Sequence, residues 1–123
     1  MILYGISNCD TVRKARHFLE QNKVEFTFHD FRKNGLTPQI VQNWLTFVAL
    51  EQLVNQRSTS WKTLTPEQKT NLLIHQDLSL LIDMPTLIKR PVLETSNQLL
   101  LGFDAIRYQN LLCADTSAAA LAG

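Results

Sequence analysis

The stretch Ile2-Leu3-Tyr4-Gly5-Ile6-Ser7-Asn8-Cys9-Asp10-Thr11-Val12 constrains this chain most, because it has to pass from strand to helix within a few residues. Ile2 to Tyr4 is β-branched and aromatic, and Gly5 supplies the freedom to turn. Asn8 is of the type that caps a helix by accepting a backbone N–H two or three residues on. That reading puts Cys9 and Asp10 in the first helical turn, among unpaired N–H groups at the positive end of the helix dipole, and both effects favour thiolate over thiol. On the residues alone Cys9 keeps two readings: a reactive thiolate, or a small side chain packed in a turn.

The helix is expected over 9–22, with Val12, Ala15 and Leu19 inward and Arg13, Arg16, His17 and Glu20 in water. Val24 to Phe28 then alternates apolar and polar residues, the period of a half-buried strand. A helix between two such strands makes a βαβ unit, whose strands run parallel. His29, Asp30, Arg32 and Lys33 read as a solvated loop entrance.

Thr37-Pro38 opens another helix, and Ile40, Val41, Trp44, Leu45 and Val48 repeat at helical spacing. Leu50, Leu53 and Val54 extend the apolar pattern. Residues 56–61 have no period and read as a loop in which hydrogen bonds hold Arg57. Thr65-Pro66-Glu67-Gln68 is a capping-box start for a helix anchored by Leu72, Leu73 and Ile74, and Asp77 caps a short helix after it. Met84-Pro85 begins a single turn. Val92 to Glu94, the turn 95–97 and the run 98–103 make an antiparallel hairpin, and Asp104 caps a last helix carrying Ile106, Tyr108, Leu111 and Leu112.

The order βαβ, a helical stretch over about 37–89, then ββα describes an α/β, thioredoxin-like fold with a helical insertion between its two halves. One domain is expected over 1–112, with 113–123 a flexible tail. In such folds the X-Pro bond before the third strand is commonly cis, which makes Arg90-Pro91 the candidate.

With 45% hydrophobic residues in 123, the chain can build one core. Twelve basic residues against 11 acidic leave a net charge of +1, which gives no electrostatic footprint for direct nucleic-acid binding or for an anionic membrane. No basic leader precedes an apolar run, and no run nears the ~18 residues of a membrane span, so a cytoplasmic location is expected. The two cysteines, Cys9 and Cys113, form no disulfide framework, and Val12 stands where a CxxC motif needs its second cysteine. No metal spacing occurs and no bound cofactor is expected. Cys113 reads as an ordinary free thiol.

Three segments, Tyr4 to Thr11, Asn55 to Trp61 and Ile88 to Pro91, resemble the arsenate reductase (ArsC-like) family, which shares its fold with the Spx regulators. The resemblance covers about residues 1–112, and the chain looks most like the family's small bacterial YffB-type members. It implies that Cys9 is the nucleophile and that Arg57 and Arg90 bind an oxyanion or thiolate beside it, with Asn8 and the helix N–H groups completing the site. The forked, permanently charged guanidinium suits that role.

Three functions are implied. The first is a glutathione-dependent thiol oxidoreductase, with glutathione as co-substrate and a small thiol, disulfide or oxyanion as substrate. The second is an arsenate reductase working with glutathione and glutaredoxin, and the third an Spx-like module that binds a protein partner without turnover. Arsenate reductases of this type carry a further arginine just after the last strand, where Gly102-Phe103-Asp104 stands here, and Arg107 follows a few residues later.

Overall fold

The computed structural model describes residues 1–122, with side chains through Cys113. Strand β1 (Ile2–Gly5) leads directly into helix α1 (Asp10–Gln21). Their approach depends on Gly5, because a Cβ there would lie 2.7 Å from Cγ2 of Val12, a fully buried residue of α1. Val12, Ala15 and Leu19 face inward as the helical period requires.

Strand β2 (Thr27–Asp30) pairs parallel to β1, with Ile2 opposite Thr27 and Gly5 opposite Asp30. It begins later than the alternation from Val24 predicts. Lys23 takes a left-handed φ of 56° and Val24 donates its N–H to Leu19 O at 3.0 Å, so Val24 to Phe26 form the return leg from the helix. Strand β3 (Val92–Glu94) lies antiparallel on the other edge of β1, with Val92 opposite Tyr4, and β4 (Leu99–Leu101) completes the hairpin. The sheet order is β2-β1-β3-β4.

Alternation along the strands sends neighbouring residues to opposite faces. Leu3 and Leu93 pack with Ala15 and Leu19 of α1 and with Tyr108 and Leu111 of helix α8 (Ala105–Ala122). Tyr4 and Val92 face the other layer, where Val41, Trp44, Leu53, Leu72, Leu81, Leu87 and Ile88 form the larger core. Burial also raises the pKa of the Tyr4 hydroxyl, to about 12, and the charge and hydrogen bond of Glu94 add to the shift.

Helix α2 (Phe31–Asn34) forms where a loop entrance was expected, and the expected helical insertion after it builds that second layer from α3 (Pro38–Trp44), α4 (Leu50–Leu53), α5 (Thr59–Lys62), α6 (Pro66–Leu73), α7 (Ser79–Asp83) and a 3-10 turn, Pro85–Leu87. Thr37 and Thr65 cap α3 and α6 as expected, and Gln68 completes the capping box.

Several local expectations need correction. Residues 59–62 form a helical turn instead of a loop, because the Ser58 hydroxyl accepts the Trp61 N–H at 3.1 Å and Trp61 packs on the core. Ile74 anchors nothing: α6 stops at Leu73, and Ile74 is 70% exposed. Ile106 likewise faces water. The flexible tail expected over 113–123 falls largely on residues whose side chains lie outside the description. Among the described residues, no helix is long and apolar enough to cross a membrane.

Gly5→Ala should cost about 1–3 kcal/mol of unfolding free energy, the usual range for overpacking, because a β-branched helical Val12 cannot rotate out of the way. Urea unfolding of the single variants and of the Gly5→Ala/Val12→Ala pair checks this. The pair should recover part of the loss, and purely additive losses would contradict the close approach as its source.

Candidate functional site

Register decides which residues meet at one end of the sheet. The parallel strands β1 and β2 end at Gly5 and Asp30, while β3 begins at Val92, opposite Tyr4. Cys9, just past β1, and Arg90-Pro91, just before β3, therefore leave the sheet at the same end. Gly102, just past β4, joins them by donating its N–H to Pro91 O at 2.9 Å. The Arg90-Pro91 bond is cis, as expected, and Pro91 is buried.

Cys9 itself occupies the N-cap of α1, at φ −95° and ψ 126°, and its sulfur makes no capping hydrogen bond. This corrects the expectation that Asn8 caps the helix with Cys9 inside the first turn. Cys9 N donates to Ile6 O at 3.2 Å, which closes the turn one residue later than the Asn8 pattern implies, and leaves Asn8 exposed. Cys9 is half-buried. Arg13 beside it is paired with Asp10 on the exposed face of the helix.

The turn carrying Cys9 is moored from β2. Asp30, the strand's last residue, is buried and accepts the N–H groups of Arg32 at 2.8 Å and Lys33 at 3.4 Å. Burial alone would raise its pKa, but those bonds and the hydroxyl and N–H of Ser7 outweigh it and hold the carboxyl below 3.8. Asp30 is thus a structural anchor and not a solvated loop residue. Its neighbour His29 approaches Gly35 O at 2.7 Å through Nε2.

The two arginines come together across a short crossing of backbone segments. Val54 bridges Ile88, Asn55 N donates to Leu87 O at 2.7 Å, and Lys89 N donates to Leu53 O at 2.9 Å. Asn55 then sets Arg57, accepting its N–H at 3.1 Å through Oδ1 while its own carbonyl takes the Ser58 hydroxyl at 2.7 Å. Ser60 and Thr86 tie the same segments through their hydroxyls at 2.5 Å.

Between these segments opens a cavity of about 490 Å³ lined by Glu51, Asn55, Arg57, Lys89, Arg90 and Gly102, among others. Arg57 is exposed, whereas Arg90 is half-buried with its Nη1 enclosed and without an acceptor. Cys9 and Asn8 do not line the cavity. The structure thus unites Arg57 with Arg90 and sets Cys9 at the same sheet end. Glu51, Asn55 and Lys89 were not singled out from sequence. Only Asn55 had a local signal, the Asx-turn pattern Asn55-Gln56-Arg57-Ser58.

Arg107, which the sequence puts a few residues after the family's further arginine, reaches back from α8 to Leu101 O at 3.4 Å through Nη1. Cys113 is exposed, near Gln109. Among the described residues, no group of three or more His, Cys, Asp or Glu is placed to hold a metal.

Fold and site together define a thioredoxin-like α/β protein with a cysteine at a helix start and an arginine-lined cavity. The chain belongs to the ArsC family, whose model matches residues 4–111. It is 40% identical over 107 residues to an uncharacterised protein of Haemophilus influenzae, covering 87% of this chain and 94% of that one. It is 31% identical to the global transcriptional regulator Spx 1 of Lactococcus lactis, covering 83% and 80%. Among solved structures, a YffB protein superposes with a TM-score of 0.82 at 34% identity, covering 89% of this chain and 96% of that one. An arsenate reductase (ArsC) related protein from Brucella melitensis gives a TM-score of 0.70 at 37% identity, covering 89% and 91%.

Because Asp30 is held below its ordinary 3.8, its contribution to stability is complete above that pH and is lost as the pH falls toward the folded value. The difference in unfolding free energy between wild type and Asp30→Asn should be flat from about pH 7 to about pH 5, and shrink from about pH 4 downward. A difference that stays flat to about pH 2 would contradict the anchoring role.

Proposed function

We propose that this chain is a thiol oxidoreductase that works through Cys9 and uses glutathione as co-substrate. The observation that carries the reading is the common sheet end: Cys9 at an uncapped helix start, and at the same end a cavity offering Arg57, Lys89 and Arg90. Three cations suit a ligand bearing carboxylates or an oxyanion, and Arg90 has an N–H to give.

With a glutathione mixed disulfide, the Cys9 thiolate attacks the glutathione sulfur, the S–S bond breaks, and the substrate thiolate leaves and takes a proton. A second glutathione, as thiolate, then attacks the Cys9-bound glutathione. Oxidised glutathione departs and the Cys9 thiolate returns, so one disulfide is reduced and another formed. This reading takes the resolving thiol from outside, because Val12 occupies the CxxC position and Cys113 stands exposed on α8.

Arsenate as the substrate is less favoured, because Gly102 lines the cavity where the family's reductases carry a further arginine. A regulator that captures a protein partner remains a second reading, supported by the similarity to Spx 1.

In an assay that couples glutathione oxidation to NADPH consumption, Cys9→Ser should reduce turnover of a glutathione mixed disulfide to background. Arg90→Ala should raise the KM for glutathione about tenfold or more, the usual effect of losing a hydrogen bond to a charged group. Undiminished turnover in Cys9→Ser would sink the enzyme reading, and capture of a polymerase subunit by that variant would favour the regulator.

A further inference from the structure

The cavity at the Cys9 end of the sheet contains one acidic side chain among its cations. Glu51, on α4, shares the lining with Arg57, Lys89 and Arg90. Opposite charges that share a cavity in a free protein usually find one another, yet here they stay apart. Among the described residues, the only ion pair is Arg13 with Asp10. Glu51 makes no hydrogen bond among those described, and Arg90 Nη1 is enclosed without an acceptor.

Lys89 N is bound to Leu53 O, which ties the end of α4 to the Lys89-Arg90 segment, so Glu51 and two of the cations enter one cavity from adjoining segments. A bare tetrahedral oxyanion satisfies such cations but is repelled by Glu51. It also fills little of a cavity of about 490 Å³, a size within the ~300–1,000 Å³ usual for small organic ligands.

We propose that this cavity binds the zwitterionic amino-acid end of a peptide thiol, with Glu51 holding that end's ammonium and Arg57, Lys89 and Arg90 its carboxylate. Glu51 is then the residue that selects an amino-acid ligand over a simple oxyanion. The assignment rests on the thiol oxidoreductase reading and narrows its substrate class, since glutathione carries one ammonium and two carboxylates.

The test is calorimetric binding of S-methylglutathione, of its N-acetyl derivative, which lacks the ammonium, and of sulfate, to wild type and to Glu51→Gln. Glu51 is exposed in the free protein, so its substitution should leave the fold intact. S-methylglutathione should bind wild type about fivefold more tightly than its N-acetyl derivative, the upper range for an exposed ion pair, and Glu51→Gln should erase that preference. Sulfate should bind the variant at least as well as wild type.

A preference for the ammonium that survives in Glu51→Gln, absence of S-methylglutathione binding, or tighter binding of sulfate to wild type would each overturn the assignment. S-methylglutathione has no thiol, so these measurements do not depend on reaction at Cys9. Intact selective binding without turnover would contradict the oxidoreductase reading and leave the cavity assignment standing.

Discussion

β1 is hydrogen-bonded on both edges, to β2 in parallel and to β3 antiparallel, and the rest of the molecule depends on that double pairing. Parallel pairing brings the ends of β1 and β2 to one side. Antiparallel pairing brings the start of β3 to the same side, although Arg90 lies far from Cys9 in sequence. A slip of one residue in either register would turn Leu3 toward the helical insertion and Tyr4 toward α1, exchanging the two cores. The packing that stabilises the sheet therefore also positions the site. Gly5 adds a local condition, since the chain can start α1 against β1 only where no Cβ meets Val12.

The insertion contributes more than a second apolar layer. Its two backbone links, Asn55 N to Leu87 O and Lys89 N to Leu53 O, suspend the Arg57 turn and the Lys89-Arg90 segment across from one another. Buried Leu53, Val54, Leu87 and Ile88 fix these segments from below, so the charged side chains stand on a rigid floor. A permanently charged Arg90 with an enclosed, unpartnered N–H is costly in the free protein, and a ligand acceptor would relieve that cost. Such an arrangement favours binding over further stability of the free chain.

Much of this was legible in the sequence where local rules and tertiary packing agree. Val12, Ala15 and Leu19 carry the inner face of α1, and the Thr65-Gln68 capping box and the hairpin around 95–98 follow side-chain chemistry that acts within a few residues. Cys9, Arg57 and Arg90 were recognised by resemblance, and the structure brings the two arginines to one cavity. What failed was set by contacts distant in sequence or by competition among caps. Asn8 yielded the N-cap to Cys9 because the turn closes on Ile6 O. Asp30 looked like a solvated loop residue because its partner Ser7 lies on another strand's exit. Glu51 and Lys89 carry no local signal in the sequence, and only the pairing of α4 with the segment before β3 shows that they share a cavity.

The central claim is that Cys9 and the arginine-lined cavity are two parts of one site for glutathione. The most direct measurement is the structure of the mixed disulfide between Cys9 and glutathione, by crystallography or from intermolecular NOEs. The glutathione backbone should extend from Cys9 along the Pro91 segment into the cavity, with carboxylates at Arg57, Lys89 or Arg90. An adduct that forms readily but lies away from that cavity, without contact to any of the three, would contradict the account.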